Sequence, residues 1–342
     1  MTEAPLSIVH LLLTRRFAGT ERHVVELANA QAAQGHGVTV ILRRAGAEAR
    51  EDAIAHRFGD AVRLEVVGDL LSGWQARRLV RRLRPDIAHA HLSGGCRALK
   101  GWHDARTRRI ATLHIRYKPQ QHEGLDGLIA IAPWQLEAMP PQMRARSVQI
   151  DNWTVPRTPS PDARARLRSE WGIAPDAFVF GALGRTEPSK GLDVLVEAWR
   201  RAALPENARL VIVGQGSAWE PLREAAPRSV VMPGFSLQSR DWLEAFDVFV
   251  SAARSEPFGL VLLEAMAARL PILASASEGA THLREVIGTP LVPVGDAEAL
   301  AEALRMMHRA HPSRRDYPMQ RFRIEDKLAE IEAFYRRVIA RD

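Results

Sequence analysis

Short apolar runs and longer stretches with helical spacing take turns along this chain. Residues 6–13 (LSIVHLLL), 38–42, 62–67, 87–91, 110–113 and 128–132 are apolar and short enough for buried strands, and residues 21–34 and 75–83 between them have helical spacing. A second series follows. Strands are predicted at 178–184, 210–213, 230–232, 248–250 and 272–274, with helices near 192–201, 219–225, 240–245 and 258–268. Strands that alternate with helices predict an α/β protein with parallel sheets. The stretch 152–160 (NWTVPRTPS) carries two prolines and a polar tail and reads as a hinge. Residues 321–340 are amphipathic, with Ile324, Leu328, Ile331, Phe334, Tyr335 and Val338 at helical spacing. Two α/β halves of about 150 residues fit the length better than one very large sheet. Their expected bounds are 1–155, completed by a C-terminal helix over 321–342, and 156–320.

The chain has 342 residues, 46% of them hydrophobic, enough for two cores, and no apolar run approaches the ~18–20 residues of a membrane span. Its one cysteine, Cys96, excludes an internal disulfide and fits a reducing, cytoplasmic compartment. The formal net charge of +7 is unevenly placed. Residues 1–157 hold 23 Lys+Arg against 15 Asp+Glu, and residues 158–342 hold 24 against 25. The basic first half points to an anionic partner. Aromatic content of 6% without a stacking run argues against nucleic acid. The basic amphipathic helix over 75–84 (QARRLVRRLR) suits the surface of an anionic membrane or, equally, a solvated helix face.

Candidate chemistry gathers at predicted strand ends. In Gly184-Arg185-Thr186-Glu187-Pro188-Ser189-Lys190-Gly191, two cations five positions apart on a short turn can converge on one diphosphate. In Ser255-Glu256-Pro257-Phe258-Gly259-Leu260-Val261-Leu262-Leu263-Glu264-Ala265, Pro257 suits a first helical turn and Glu256 precedes it. Glu264 lies up to ~12 Å further along the axis, too far for an acid/base dyad on one bond but suited to gripping two ends of one elongated ligand. Its neighbours are apolar, so its carboxylate calls for a partner. The turns Val213-Gly214-Gln215-Gly216 and Met232-Pro233-Gly234-Phe235 are weak signals alone, as is Ala18-Gly19-Thr20-Glu21 opening a helix. His114 ends Thr112-Leu113-His114. His89 and His91 alternate on a strand without an acidic cluster nearby and read as strand-end residues rather than metal ligands. No Asp-x-Asp occurs.

Taken together, FAGTERHVVELANAQAAQGHGVTV, the G-R-…-K-G turn and the Glu256…Glu264 stretch resemble retaining glycosyltransferases of family 4. The resemblance implies the GT-B architecture, two Rossmann-like domains facing across a cleft, with the C-terminal helix crossing back to the first. It implies that Arg185 and Lys190 clamp the diphosphate of a nucleotide-sugar donor, stabilise it as it leaves and do so without a metal or other cofactor. Glu264 would hold the ribose hydroxyls and Glu256 would align the transferred sugar. Gly214, Gly234 and Phe235 would lie beside the nucleotide. Phe258, Gly259 and Leu260 would offer backbone N–H groups to the phosphates. His114 and the Gly19 loop would face the sugar from the first domain. The sequence departs from the family at Ala18-Gly19, Asn152-Trp153 and Glu278-Gly279-Ala280, the last near the donor sugar. The expected reaction is hexosyl transfer, with a UDP-sugar favoured, to a cell-envelope glycan such as lipopolysaccharide core, at the inner face of the inner membrane. The rival readings are a nucleotide-sugar epimerase of the same fold and a non-catalytic nucleotide-sugar-binding protein.

Overall fold

The structure is a computed structural model that describes residues 4–341 except Arg16, Glu51, Pro156, Arg157 and Leu237. Pro156 and Arg157 of the predicted hinge therefore lie outside the described residues. The chain forms two compact units, residues 1–152 with 322–342, and residues 153–321.

In the first unit the apolar runs become parallel strands β1 (Ser7–Leu12), β2 (Gly37–Arg43), β3 (Arg63–Val67), β4 (Ile87–His91), β5 (Arg108–Leu113), β6 (Gly127–Ala130) and β7 (Val148–Gln149), in the order β3-β2-β1-β4-β5-β6-β7. Helices α1 (Gly19–Ala33) and α2 (Ser72–Leu83) connect strands. Alternation along β1 and β4 sends Val9, Leu11, Ala88 and Ala90 to one sheet face, where α2 buries Ala76 and Val80. Leu12 goes to the opposite face, against Val24, Val25 and Ala28 of α1. His10 and His89 sit in register on adjacent strands.

The second unit repeats the scheme with β8 (Phe178–Leu183), α3 (Leu192–Ala202), β9 (Ala208–Val213), α4 (Trp219–Ala225), β10 (Val230–Gly234), β11 (Val248–Ser251), α5 (Leu260–Ala267), β12 (Ile272–Ala274) and α6 (Ala297–Ala310). Its parallel order is β10-β9-β8-β11-β12. Asp296 caps α6 by accepting the N–H groups of Glu298 and Ala299 at 3.1 and 2.9 Å. The last helix, α7 (Ile324–Ile339), belongs to the first unit, where it buries Leu328, Ile331, Phe334, Tyr335 and Val338.

One detail differs from the sequence reading. Helix α5 begins at Leu260, after Gly259 at φ 96°, so Pro257 and Phe258 belong to the loop and not to the first helical turn. Helix α2 covers the first sheet with Ala76 and Val80, as the solvated-face alternative for 75–84 expects, and Arg77 donates to the backbone oxygens of Ala98 and Lys100 at 2.7 Å.

Candidate active site

In each sheet the strand order reverses beside the first strand, and the C-terminal strand ends at that point are where open α/β sheets bind ligands. In the second unit this places the loops after β8 and β11 side by side. Gly184 and Gly214 follow β8 and β9 directly, Gly234 ends β10, and they stack through hydrogen bonds: Gly184 N–H donates to Val213 O (3.0 Å) and Gly214 N–H to Gly234 O (2.8 Å). Gly214 has φ 134°, and a Cβ there would collide with the Gly184 carbonyl oxygen. Side chains are thereby kept away from the rim, which leaves backbone open to a ligand.

A pocket beside this rim is lined by Gly184, Arg185, Lys190, Ser251, Ala253 and Glu256. Arg185 is exposed, whereas Lys190 Nζ donates to Glu256 Oε2 at 2.5 Å. The loop carrying Glu256 is held from both sides. Glu256 N–H donates to Glu278 Oε2 (3.1 Å), and Gly279 N–H donates to Glu256 O (2.7 Å). Arg254 N–H donates to Ser189 O (2.8 Å), and its guanidinium grips Asp193 at 2.6 and 2.7 Å, which holds the Asp193 carboxyl below its usual range. The two ionic loops are therefore stitched together before any ligand arrives.

Glu264, on α5, is about 11% exposed and has the partner its apolar neighbours called for: Arg240 Nη2 lies 3.2 Å from Glu264 Oε1. Arg240 also donates to Val155 O at 3.3 Å. Arg240 was not singled out from the sequence, because nothing marks one arginine 24 positions upstream as the neighbour of one glutamate. Phe258 is buried, while Phe235 is 59% exposed beyond the end of β10. Two polar atoms near the glycine rim, Thr186 Oγ1 and Trp219 Nε1, are buried without a hydrogen-bond partner among the described residues.

The first unit holds an arrangement the sequence reading missed. His10 (β1), His23 (α1), His89 and His91 (β4) and His114, which follows β5, form one cluster. His89 and His91 lie two positions apart, hence on one sheet face, and the register adds His10. These two are therefore core residues of the α1 and α7 side rather than simple strand-end groups. Ring nitrogens of His10, His89 and His91 lie within 4.8 Å of one another. Burial pushes His10 down to about 4 and His114 to about 3, and holds His23, His89 and His91 well below the usual imidazole range, so the rings are neutral. Gly19 is the first residue of α1, with Arg22 N–H donating to Ala18 O at 2.9 Å.

Residues 17–179 match the family model described as Glycosyltransferase Family 4, and residues 177–309 match that described as Glycosyl transferases group 1. Among curated relatives, the lipopolysaccharide core biosynthesis glycosyltransferase LpsE of Rhizobium meliloti is 27% identical over 298 residues, 84% of this chain and 85% of that protein. A GDP-mannose-dependent alpha-(1-6)-phosphatidylinositol monomannoside mannosyltransferase of Mycolicibacterium smegmatis is 31% identical over 267 residues, 72% of this chain and 65% of that protein. Among solved structures, Anabaena HepE in complex with UDP and glucose is similar in fold, with a TM-score of 0.77 over 96% of this chain and 98% of that one at 20% identity. Two parallel-sheet units with glycine-rimmed strand ends, and matches that run from residue 17 to 309, place the chain among the glycosyltransferases of family 4, with the GT-B fold.

Proposed function

We propose that this glycosyltransferase moves a hexosyl unit, with retention at the anomeric carbon, from a UDP-sugar to a cell-envelope glycan of the lipopolysaccharide-core type. The observation that carries the donor half is the Lys190–Glu256 pair beside exposed Arg185, over a pocket at the β8/β11 strand ends. A diphosphate entering there draws Lys190 away from Glu256. Lys190 and Arg185 then meet two negative phosphates, and charge developing on the leaving diphosphate falls on cations already in place. These cations do the work a divalent metal does elsewhere, so a chelator is expected to leave turnover unchanged. Released from Lys190, Glu256 aligns the sugar. Glu264 takes the ribose hydroxyls, its orientation set by Arg240. Gly214, Gly234 and Phe235 flank the base, and the N–H groups of Phe258, Gly259 and Leu260 face the phosphates. Thr186 Oγ1 and Trp219 Nε1 are groups that a bound nucleotide would satisfy. His114 and Gly19 serve the sugar from the first unit. The acceptor class rests on the LpsE relative.

For membrane contact we infer a surface next to, not on, the apolar face of α2. Leu70 is 86% exposed, Leu71 75% and Trp74 59%, beside exposed Arg78, Arg81 and Arg82. Apolar side chains ringed by arginines suit the anionic inner face of a membrane. No described helix is long and apolar enough to cross one.

The deciding experiment measures nucleotide release from UDP-, GDP- and ADP-sugars, with and without deacylated envelope glycan, for the chain and for Lys190→Ala and Glu256→Ala. Release from a UDP-sugar that needs the glycan and is lost in both variants supports the proposal. A change of sugar configuration without acceptor would replace it with epimerisation. Tight nucleotide binding with no release from any donor would leave a binding protein.

A further inference from the structure

Four of the five clustered histidines, His10, His89, His91 and His114, belong to one hydrogen-bonded chain of groups, and His23 packs against it by ring contact. His114 Nε2 lies 3.1 Å from His91 Nδ1, and His91 Nε2 lies 3.0 Å from His10 Nδ1. His10 Nε2 lies 2.7 Å from Gln31 Oε1, and Gln31 Nε2 lies 3.2 Å from Tyr335 Oη. Tyr335 Oη lies 2.7 Å from His89 Nδ1, and His89 Nε2 lies 2.8 Å from Thr112 Oγ1. A neutral imidazole has one donor and one acceptor nitrogen, so fixing the proton on any ring of such a chain fixes it on the next.

The lengths give the direction. The 2.7 Å contact at His10 suits an N–H donating to an amide oxygen, and the 3.2 Å contact at Tyr335 suits an amide N–H donating to a phenol oxygen. The Tyr335 hydroxyl, whose oxygen accepts from Gln31, is left to donate to His89 Nδ1 at the short 2.7 Å. With Gln31 Oε1 accepting from His10 Nε2, His10 Nδ1 accepts from His91 Nε2, and His91 Nδ1 accepts from His114 Nε2. His114 is half-buried, and its Nδ1 has no partner among the described residues.

We propose that Gln31, through His10 and His91, is a positioning residue that holds His114 with its Nδ1 lone pair turned outward as the acceptor for a sugar hydroxyl. Tyr335 of α7 secures the Gln31 amide in the orientation this requires. The inference rests on the proposed transferase reading for its ligand but not for its geometry. It also accounts for the three clustered histidines without a metal. A cation at His10 Nδ1, His91 Nε2 and a His89 nitrogen would have to break the His10–His91 bond and one of the two bonds of His89.

The test is nitrogen-15 NMR of the histidine-labelled, tag-free full chain at neutral pH, with His10, His89, His91 and His114 assigned from single His→Gln variants. The expected result is protonation at Nε2 in His10, His89, His91 and His114 alike. In Gln31→Leu and Tyr335→Phe, with unchanged far-UV circular dichroism, the His114 signal is expected to become a mixture of tautomers. Transferase turnover is expected to fall roughly tenfold at unchanged nucleotide KM. Protonation of His114 at Nδ1, or a His114 tautomer indifferent to Gln31→Leu, would overturn the proposal. So would uptake of one equivalent of zinc by the chelator-treated chain with the His10 and His91 signals moving. If no donor is turned over, the tautomer measurements still decide the relay, and only the transferase reading fails.

Discussion

Both units carry polar side chains at or near the C-terminal ends of a parallel sheet, but they hold them by different physics. In the second unit the groups are charged, partly open and paired across loops: Lys190 with Glu256, Arg240 with Glu264, Arg254 with Asp193. In the first they are neutral rings, largely buried and hydrogen-bonded in series from His114 to Thr112. An ion pair at a pocket mouth is exchangeable, because an incoming anion replaces one partner. A buried chain of neutral groups is not, because every member left unpaired costs about 1–3 kcal/mol. Charge that must change hands during a reaction suits the first arrangement, and fixed direction suits the second.

This contrast has measurable consequences. The largest is expected for Lys190→Ala, with a loss of roughly 100- to 1,000-fold in donor turnover. Lys190→Ala combined with Glu256→Ala is expected to fall well short of the product of the two single losses, since the pair acts together. Full additivity in steady-state kinetics would show that they act separately.

Gly191→Ala comes next. Gly191 has φ 59°, and its Cβ would collide with the Ala252 carbonyl oxygen, so the change is expected to destabilise the second unit by about 2–4 kcal/mol in denaturant melts. The first unit should be untouched.

Acid is expected to reverse that order. The buried imidazoles bind protons less well folded than unfolded, with His10 near 4 and His114 near 3 against an ordinary value of 6.5. The unfolded chain therefore takes up more protons below 6.5. The stability these rings contribute is complete above pH 6.5 and is lost as pH falls toward 4 and below. Hydrogen exchange across this range should show β1, β4 and α7 opening before β8 and β9. Simultaneous opening would contradict the assignment.

A smaller effect is expected at the surface: Leu71→Asp with Trp74→Asp should weaken flotation with anionic vesicles about tenfold while leaving nucleotide release from soluble acceptor unchanged. The smallest is Arg240→Ala, a roughly threefold rise in nucleotide KM, since Arg240 orients Glu264 and does not itself meet the donor in the proposed site.

Most of the architecture was legible because parallel strands buried on both faces are short and largely apolar, and 87–91 and 272–274 start and end at the residues read from sequence. The two-residue β7 left too little pattern to notice, and α6 was passed over although Leu300 and Leu304 lie four apart. The start of α5 was misplaced because proline favours a first turn, while here Gly259 at φ 96° sets the turn instead. The ionic residues of the second unit were visible as motifs because they are close in sequence. The histidine chain was not, because it depends on cross-strand register and on Gln31 and Tyr335, which are 304 positions apart. An adjacency of that kind has no local signal. The available hints were His10 in the middle of an otherwise apolar stretch, residues 8–13, and the alternation of His89 and His91.

The return of α7 to the first unit also orders events in time. Residues 153–321 are contiguous and can complete their contacts as soon as they are made. The first unit cannot. Phe334 and Val338 pack where Gly127 leaves space, and Tyr335 closes the hydrogen bonds of Gln31 and His89. On a ribosome adding residues from the N-terminus, the half that is made first is finished last. Its histidines and its sheet face stay open to water until the final helix arrives, so the stretch of synthesis most exposed to aggregation lies between residue 152 and the emergence of Tyr335.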